Sequence, residues 1–131
     1  MSRIGAAAPT GLACLFTVSG VLHFVVPGSF ETIVPRVVPA RCRRPAVYAS
    51  GVAELACAVG LARRTRWSSA ASTALLLAVW PANLQMALDA GSGRHPGAMD
   101  SAAVAWGRMP LQLAMLWAAR QAGRRVRTAD R

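Results

Sequence analysis

Four apolar stretches punctuated by arginine clusters constrain this chain more than any other feature. They run from about Ile4 to Val26, Ala46 to Ala62, Trp67 to Leu88 and Ser101 to Ala119. A helix crosses a hydrocarbon core of about 30 Å with about 20 residues, and each stretch is close to that length. Arg36, Arg41, Arg43 and Arg44 lie between the first two. Arg63, Arg64 and Arg66 lie between the second and third, and Arg120, Arg124, Arg125, Arg127 and Arg131 follow the fourth. Arginines at span ends anchor among lipid headgroups. The expected fold is therefore all-α, an integral membrane four-helix bundle with spans at 4–26, 46–62, 67–88 and 101–119. It occupies residues 1–122 and is followed by a basic C-terminal tail, 123–131. The fourth stretch is interrupted at Gly107-Arg108-Met109-Pro110, but Trp106 and Trp117 near its ends suit an interfacial belt. The first is longer than a signal-peptide core and no clear A-x-A cleavage site follows it, so it reads as a span.

Composition excludes several classes. With 54% hydrophobic and 15% charged residues the chain lies outside the soluble range. The formal charge of +10 comes entirely from arginine, but the arginines flank apolar stretches and form no basic stripe. The partner they imply is the lipid bilayer, with no nucleic acid. Cys14, Cys42 and Cys57 form no CxxC and no zinc spacing, so neither a dithiol centre nor a structural metal is expected. His95 lies in a Gly-rich loop and no second span histidine could pair with His23, which disfavours haem.

Orientation follows from the arginines. With a cytoplasmic N-terminus, that side holds Arg3, Arg63, Arg64, Arg66, Arg120, Arg124, Arg125, Arg127 and Arg131, nine in all. The other side holds six, Arg36, Arg41, Arg43, Arg44, Arg94 and Arg108. The bias implies a cell (inner) membrane protein with both termini inside.

Between the first two spans, PGSFETIVPRVVPARCRRP has too many prolines for a long helix. It reads as a short amphipathic or re-entrant segment at the membrane surface, apolar residues down, Arg36 and Arg41 out. Ala70, Ala74, Ala78 and Ala82, and the pairs Ala49/Ala53 and Ala56/Gly60, form small-residue ribbons of the kind that let helices approach in lipid.

The polar residues inside the spans carry the functional signal. Ser19 and His23, Ser50 and Glu54, and Arg108 and Gln112 are each four apart, so each pair shares a helix face. With spans alternating in direction, His23, Glu54, Asn83 and Arg108 all fall toward one side of the membrane, at depths that let them meet. An ionised carboxylate alone in hydrocarbon costs at least about 2.5 kcal/mol, so Glu54 needs a partner or a proton. Arg108 and His23 are candidate partners, with Asn83 and Gln112 as hydrogen-bonding neighbours. Pro81 removes the backbone hydrogen bond to the Leu77 carbonyl, freeing an acceptor nearby. The expected site is a polar intramembrane cluster of His23, Ser50, Glu54, Asn83, Arg108 and Gln112. It is either a pocket for a lipophilic polar ligand such as a quinone, with His23 or Glu54 handling protons, or a clamp that fixes helix register.

These residues form a series: Gly20-x-x-His23-Phe24-x-x-Pro27, Ile33-Val34-Pro35, Val38-Pro39, Tyr48-x-Ser50-Gly51-x-x-Glu54-Leu55, Pro81-Ala82-Asn83-x-x-Met86 and Arg108-x-Pro110-x-Gln112. The series resembles the DoxX family of small bacterial membrane proteins, over almost the whole chain outside the basic tail. The resemblance implies a four-helix membrane protein acting as an accessory or subunit of a quinone-linked redox system. It implies other membrane redox proteins as partners, and a second copy of the chain is a further candidate. The alternative is a non-enzymatic assembly factor or scaffold. It assigns no catalytic residue, and the only cofactor it suggests is a quinone.

A reporter fused after Arg131 is expected to register as cytoplasmic. An extracytoplasmic signal would refute the N-in, C-in topology.

Overall fold

The structure, a computed structural model, describes residues 3–129; Met1, Ser2, Asp130 and Arg131, the last counted above in the basic tail, lie outside them. Helices α1 (Arg3–Val25), α2 (Pro27–Glu31), α3 (Ala40–Ala62), α4 (Ser68–Asp89) and α5 (Ala102–Ala129) follow in order, with one 3-10 turn at Gly97–Asp100. No strand occurs among the described residues. Three helices are long and apolar enough to cross a membrane: α1 from Ile4, α3 and α4. At about 1.5 Å per residue, the 23 residues of α3 cover about 35 Å. The 28-residue α5 is long enough, but carries Arg108, Arg120, Arg124, Arg125 and Arg127.

Helix α3 starts at Ala40, six residues before the apolar stretch expected at 46. Pro39 sits at its N-cap, and Pro45 in the second turn removes only one amide. Helix α5 runs through Pro110 and on to Ala129, so residues 123–129 of the basic tail continue the same helix.

The four long helices form a ring in which α1 packs on α3, α3 on α4, α4 on α5 and α5 back on α1. The seams are unequal. Packing is most extensive between α1 and α3 and next between α4 and α5, and it is slightest between α3 and α4. The molecule is thus two tight pairs laid side by side.

Glycine makes the first pair. A Cβ on Gly51 would lie 2.8 Å from the Cβ of His23, 2.8 Å from the Phe24 ring and 3.1 Å from the Gly20 carbonyl. A Cβ on Gly20 would meet the Leu55 side chain at 2.8 Å. The backbones approach because neither residue has a side chain in the way. The alanine ribbons do not play this part, since Ala70, Ala74, Ala78, Ala49 and Ala56 are exposed. On α4 the face turned inward instead carries Ser68, Ser72, Leu76, Asn83 and Met86. Spacing shows which residues share a face but not which face is buried.

The end of the bundle where α1 and α4 finish and α3 and α5 begin is called the upper end here. The lower half is a packed core of Leu12, Ala13, Phe16, Cys57, Ala58, Leu61, Leu76, Ala118, Ala119 and Ala122. Near the upper end a smaller cluster joins Ile33 to Met86, Ala87 and Ala105. Helix α2 has Pro at its first position, where the missing amide costs nothing. The turns after it cross the upper end, with Arg36 and Arg41 exposed as expected. Ile33, however, faces the helices and not lipid.

Gly51→Ala is expected to destabilise the protein by about 1–3 kcal/mol through overpacking, seen as a lower Tm in detergent. Gly11, whose Cβ would meet nothing within 4 Å, is the control: Gly11→Ala should be neutral or slightly stabilising.

Candidate functional site

The two helix pairs enclose a cavity of about 710 Å³ near the upper end, and His23, Ser50, Glu54, Asn83, Arg108 and Gln112 all line it. Its volume falls within the range of small-molecule pockets, about 300–1,000 Å³. Apolar side chains from all four long helices, among them Leu15, Phe16, Val47, Leu75, Leu111 and Met115, make up most of the remaining wall.

On the α4–α5 wall the hydrogen bonds have a forced direction. An arginine only donates, and Arg108 Nε and Nη2 donate to Asn83 Oδ1 at 3.1 and 2.9 Å. That fixes the Asn83 amide, whose Nδ2 donates to Gln112 Oε1 at 3.2 Å. Gln112 Nε2 in turn donates to the Leu76 carbonyl. The series starts at a group that can only donate and ends at one that can only accept, so neither amide can be flipped without breaking it. The terminal acceptor is one residue before Leu77, whose carbonyl Pro81 leaves without its amide.

The α1–α3 wall holds the acid. His23 Nδ1 donates to the Ser19 carbonyl at 2.7 Å. Because a carbonyl only accepts, Nδ1 carries the hydrogen and the neutral ring keeps its lone pair on Nε2. Glu54 Oε2 lies 3.6 Å from the same Nδ1 and is buried without a hydrogen-bond partner. The His23 ring stacks on Phe30, with centroids 3.9 Å apart and planes inclined by 26°. Of the two partners expected for Glu54, His23 is the one beside it. The hydrogen bonds of Arg108 go to Asn83.

Gln85, polar and in the same span as Asn83, lies apart from the cavity and donates to Asp89 Oδ2 at 3.0 Å. Ser50 contributes to the wall, one turn from Glu54.

The part that sequence reasoning missed is the roof. Phe30, Ile33, Val34, Pro35, Val37 and Val38 line the cavity from the segment between α1 and α3. Ion pairs hold this segment down. Arg36 binds Asp89 at the end of α4, Arg94 binds the same carboxylate at 3.0 Å, and Arg44 reaches back to Glu31 at 2.6 Å. His95 Nδ1 and the Thr32 hydroxyl share a further hydrogen bond of 3.1 Å. The available signal was the density of apolar residues between the prolines, which suits a roof as well as a lipid-facing surface.

Among the described residues no group of three or more His, Cys, Asp or Glu converges to hold a metal. An acid–histidine pair faces an arginine–amide series across an apolar space, which suits a ligand with polar oxygens on a hydrophobic body.

Fold and site define an all-helical protein with three membrane-length helices and a polar-walled cavity between two helix pairs. The chain belongs to the family described as Domain of unknown function (DUF8561), whose model matches residues 12–122. No curated protein and no solved structure matches it.

Asn83→Ala removes three interhelical hydrogen bonds. At about 0.6 kcal/mol for each such bond in a membrane, the expected loss is about 2 kcal/mol. A thermal melt of the purified variant checks it, and an unchanged Tm would show that the series does not hold α4 to α5.

Proposed function

We propose that this is a four-span membrane protein with α5 as the fourth span, whose cavity binds a quinone or a similar lipid-soluble ring compound as part of a membrane redox system. The observation that carries the reading is the opposition of the His23–Glu54 pair to Arg108 across one apolar cavity of ligand size. In this reading His23 Nε2 would accept a proton from a ligand hydroxyl, with the Glu54 carboxyl beside Nδ1 to stabilise the protonated ring, while the electrons pass to a partner redox protein. Arg108, positioned by Asn83, would offer a hydrogen bond to a ligand oxygen. The likeness to the DoxX family points the same way, toward an accessory or subunit of a quinone-linked system in a bacterial inner membrane. Other redox proteins or a second copy of the chain are its candidate partners.

A second reading, a non-enzymatic assembly factor or scaffold, is favoured by the Arg108–Asn83–Gln112–Leu76 series, which ties helices together whether or not a ligand is bound. One experiment separates the two. Mass spectrometry of the organic extract from detergent-purified protein is expected to show stoichiometric quinone, lost in His23→Ala and Glu54→Gln while both variants keep their Tm. Phospholipid alone in the wild-type extract, with a lowered Tm for Glu54→Gln, would establish the clamp instead.

A further inference from the structure

The sides of the cavity are unequally built. Below it lies the packed core around Phe16, Leu61 and Ala119. Above it, the roof is fastened to α4 through Arg36 and Asp89 and to α3 through Glu31 and Arg44. The α1–α3 seam is closed by the Gly20–Gly51 contact, and the α4–α5 seam by the Asn83 hydrogen bonds. The α1–α5 side is lined by larger side chains, Leu15, Phe16, Leu111 and Met115, of which Leu15 and Leu111 are also exposed.

The α3–α4 seam differs. It is the least packed of the four, although only a short turn joins the two helices. In its lower part Gly60 sits tight against Trp67 and Ser68. Higher up, the cavity wall is made of Ala46, Ala49 and Ala53 on α3 and Ala78, Val79 and Ala82 on α4. Ala46, Ala49 and Ala78 line the cavity and are exposed. Single-carbon side chains across the least packed seam make the thinnest stretch of the cavity wall, and it lies along helices of membrane length.

We infer that the cavity is filled sideways from the bilayer through the α3–α4 seam, by a ligand whose polar ring reaches Glu54 and Arg108 while an apolar tail remains between the alanines. This rests on the reading of the cavity as a ligand pocket, and it adds the route and the need for a tail. A water-soluble ring has no such path, and a tailed one is already concentrated in the phase on which the seam opens.

Two measurements on the full chain in nanodiscs test it. With Cys14, Cys42 and Cys57 replaced, a spin label attached at Ala49→Cys is expected to collide freely with dissolved oxygen and rarely with a water-soluble nickel chelate. Frequent nickel collisions would mean access from water. Low values for both would mean a seam closed by protein, whether by α3 against α4 or by a second copy. Either result overturns the inference. Binding is then compared for decylubiquinone and for the tailless ubiquinone-0. Decylubiquinone is expected to bind the wild type at least tenfold more tightly than ubiquinone-0, and Ala78→Trp, which narrows the seam, to slow its binding at least tenfold. Equal affinity of the two compounds for the wild type, or an unchanged rate in the variant, would also overturn the inference. If neither compound binds the wild type, the quinone reading fails and the spin-label result alone decides the route.

Discussion

Arg108 holds a permanent positive charge in the upper half of the bundle, and the arrangement around the cavity follows from accommodating it. A guanidinium does not give up its proton in a protein, and burying one away from water is costly unless its hydrogens are accepted. Asn83 meets that demand with one oxygen that accepts two of its hydrogens, and Gln112 and the Leu76 carbonyl keep the amide turned the right way. Glu54 and the guanidinium line opposite walls of the cavity, the carboxyl lying beside His23 instead. Direct contact between the two would take up the space that the separation leaves open.

The glycine contact between α1 and α3 serves the same end from the other side. By bringing the two backbones together at Gly20 and Gly51, it sets His23 beside Glu54. The histidine is held in turn by a backbone carbonyl of its own helix and by the Phe30 ring, so its orientation does not depend on the opposite wall. Each wall thus orients its own polar side chains, and the cavity is what remains between the two surfaces.

The site was more legible in the sequence than the helices that carry it. A polar residue in an apolar run must find a partner, and a spacing of four puts two such residues on one face. That was enough to gather His23, Ser50, Glu54, Asn83, Arg108 and Gln112, all of which line one cavity. Helix ends were read less well because hydropathy reports the length that suits hydrocarbon, not the length of the helix. Alanine, glutamine and arginine favour helix in water as well, so α5 continues to Ala129, and α3 starts among Arg41, Arg43 and Arg44. The roof escaped for a related reason. In a membrane protein, lipid and protein interior make the same demand on a side chain, and sequence alone does not say which of them Ile33 or Phe30 faces. The alanine ribbon on α4 misled in the opposite direction, since small residues suit either a tight interface or a gap.

The two pairs are also contiguous in the chain, α1 with α3 and then α4 with α5. This bears on biogenesis. As the chain leaves the ribosome, the first pair can close on its glycines, with histidine and glutamate already neighbours, before the third long helix has been synthesised. In the second pair the arginine is hydrogen-bonded to an asparagine from its own hairpin, so that contact does not wait for the first pair. Assembly then reduces to the docking of two finished halves, and the cavity comes into being only at that last step.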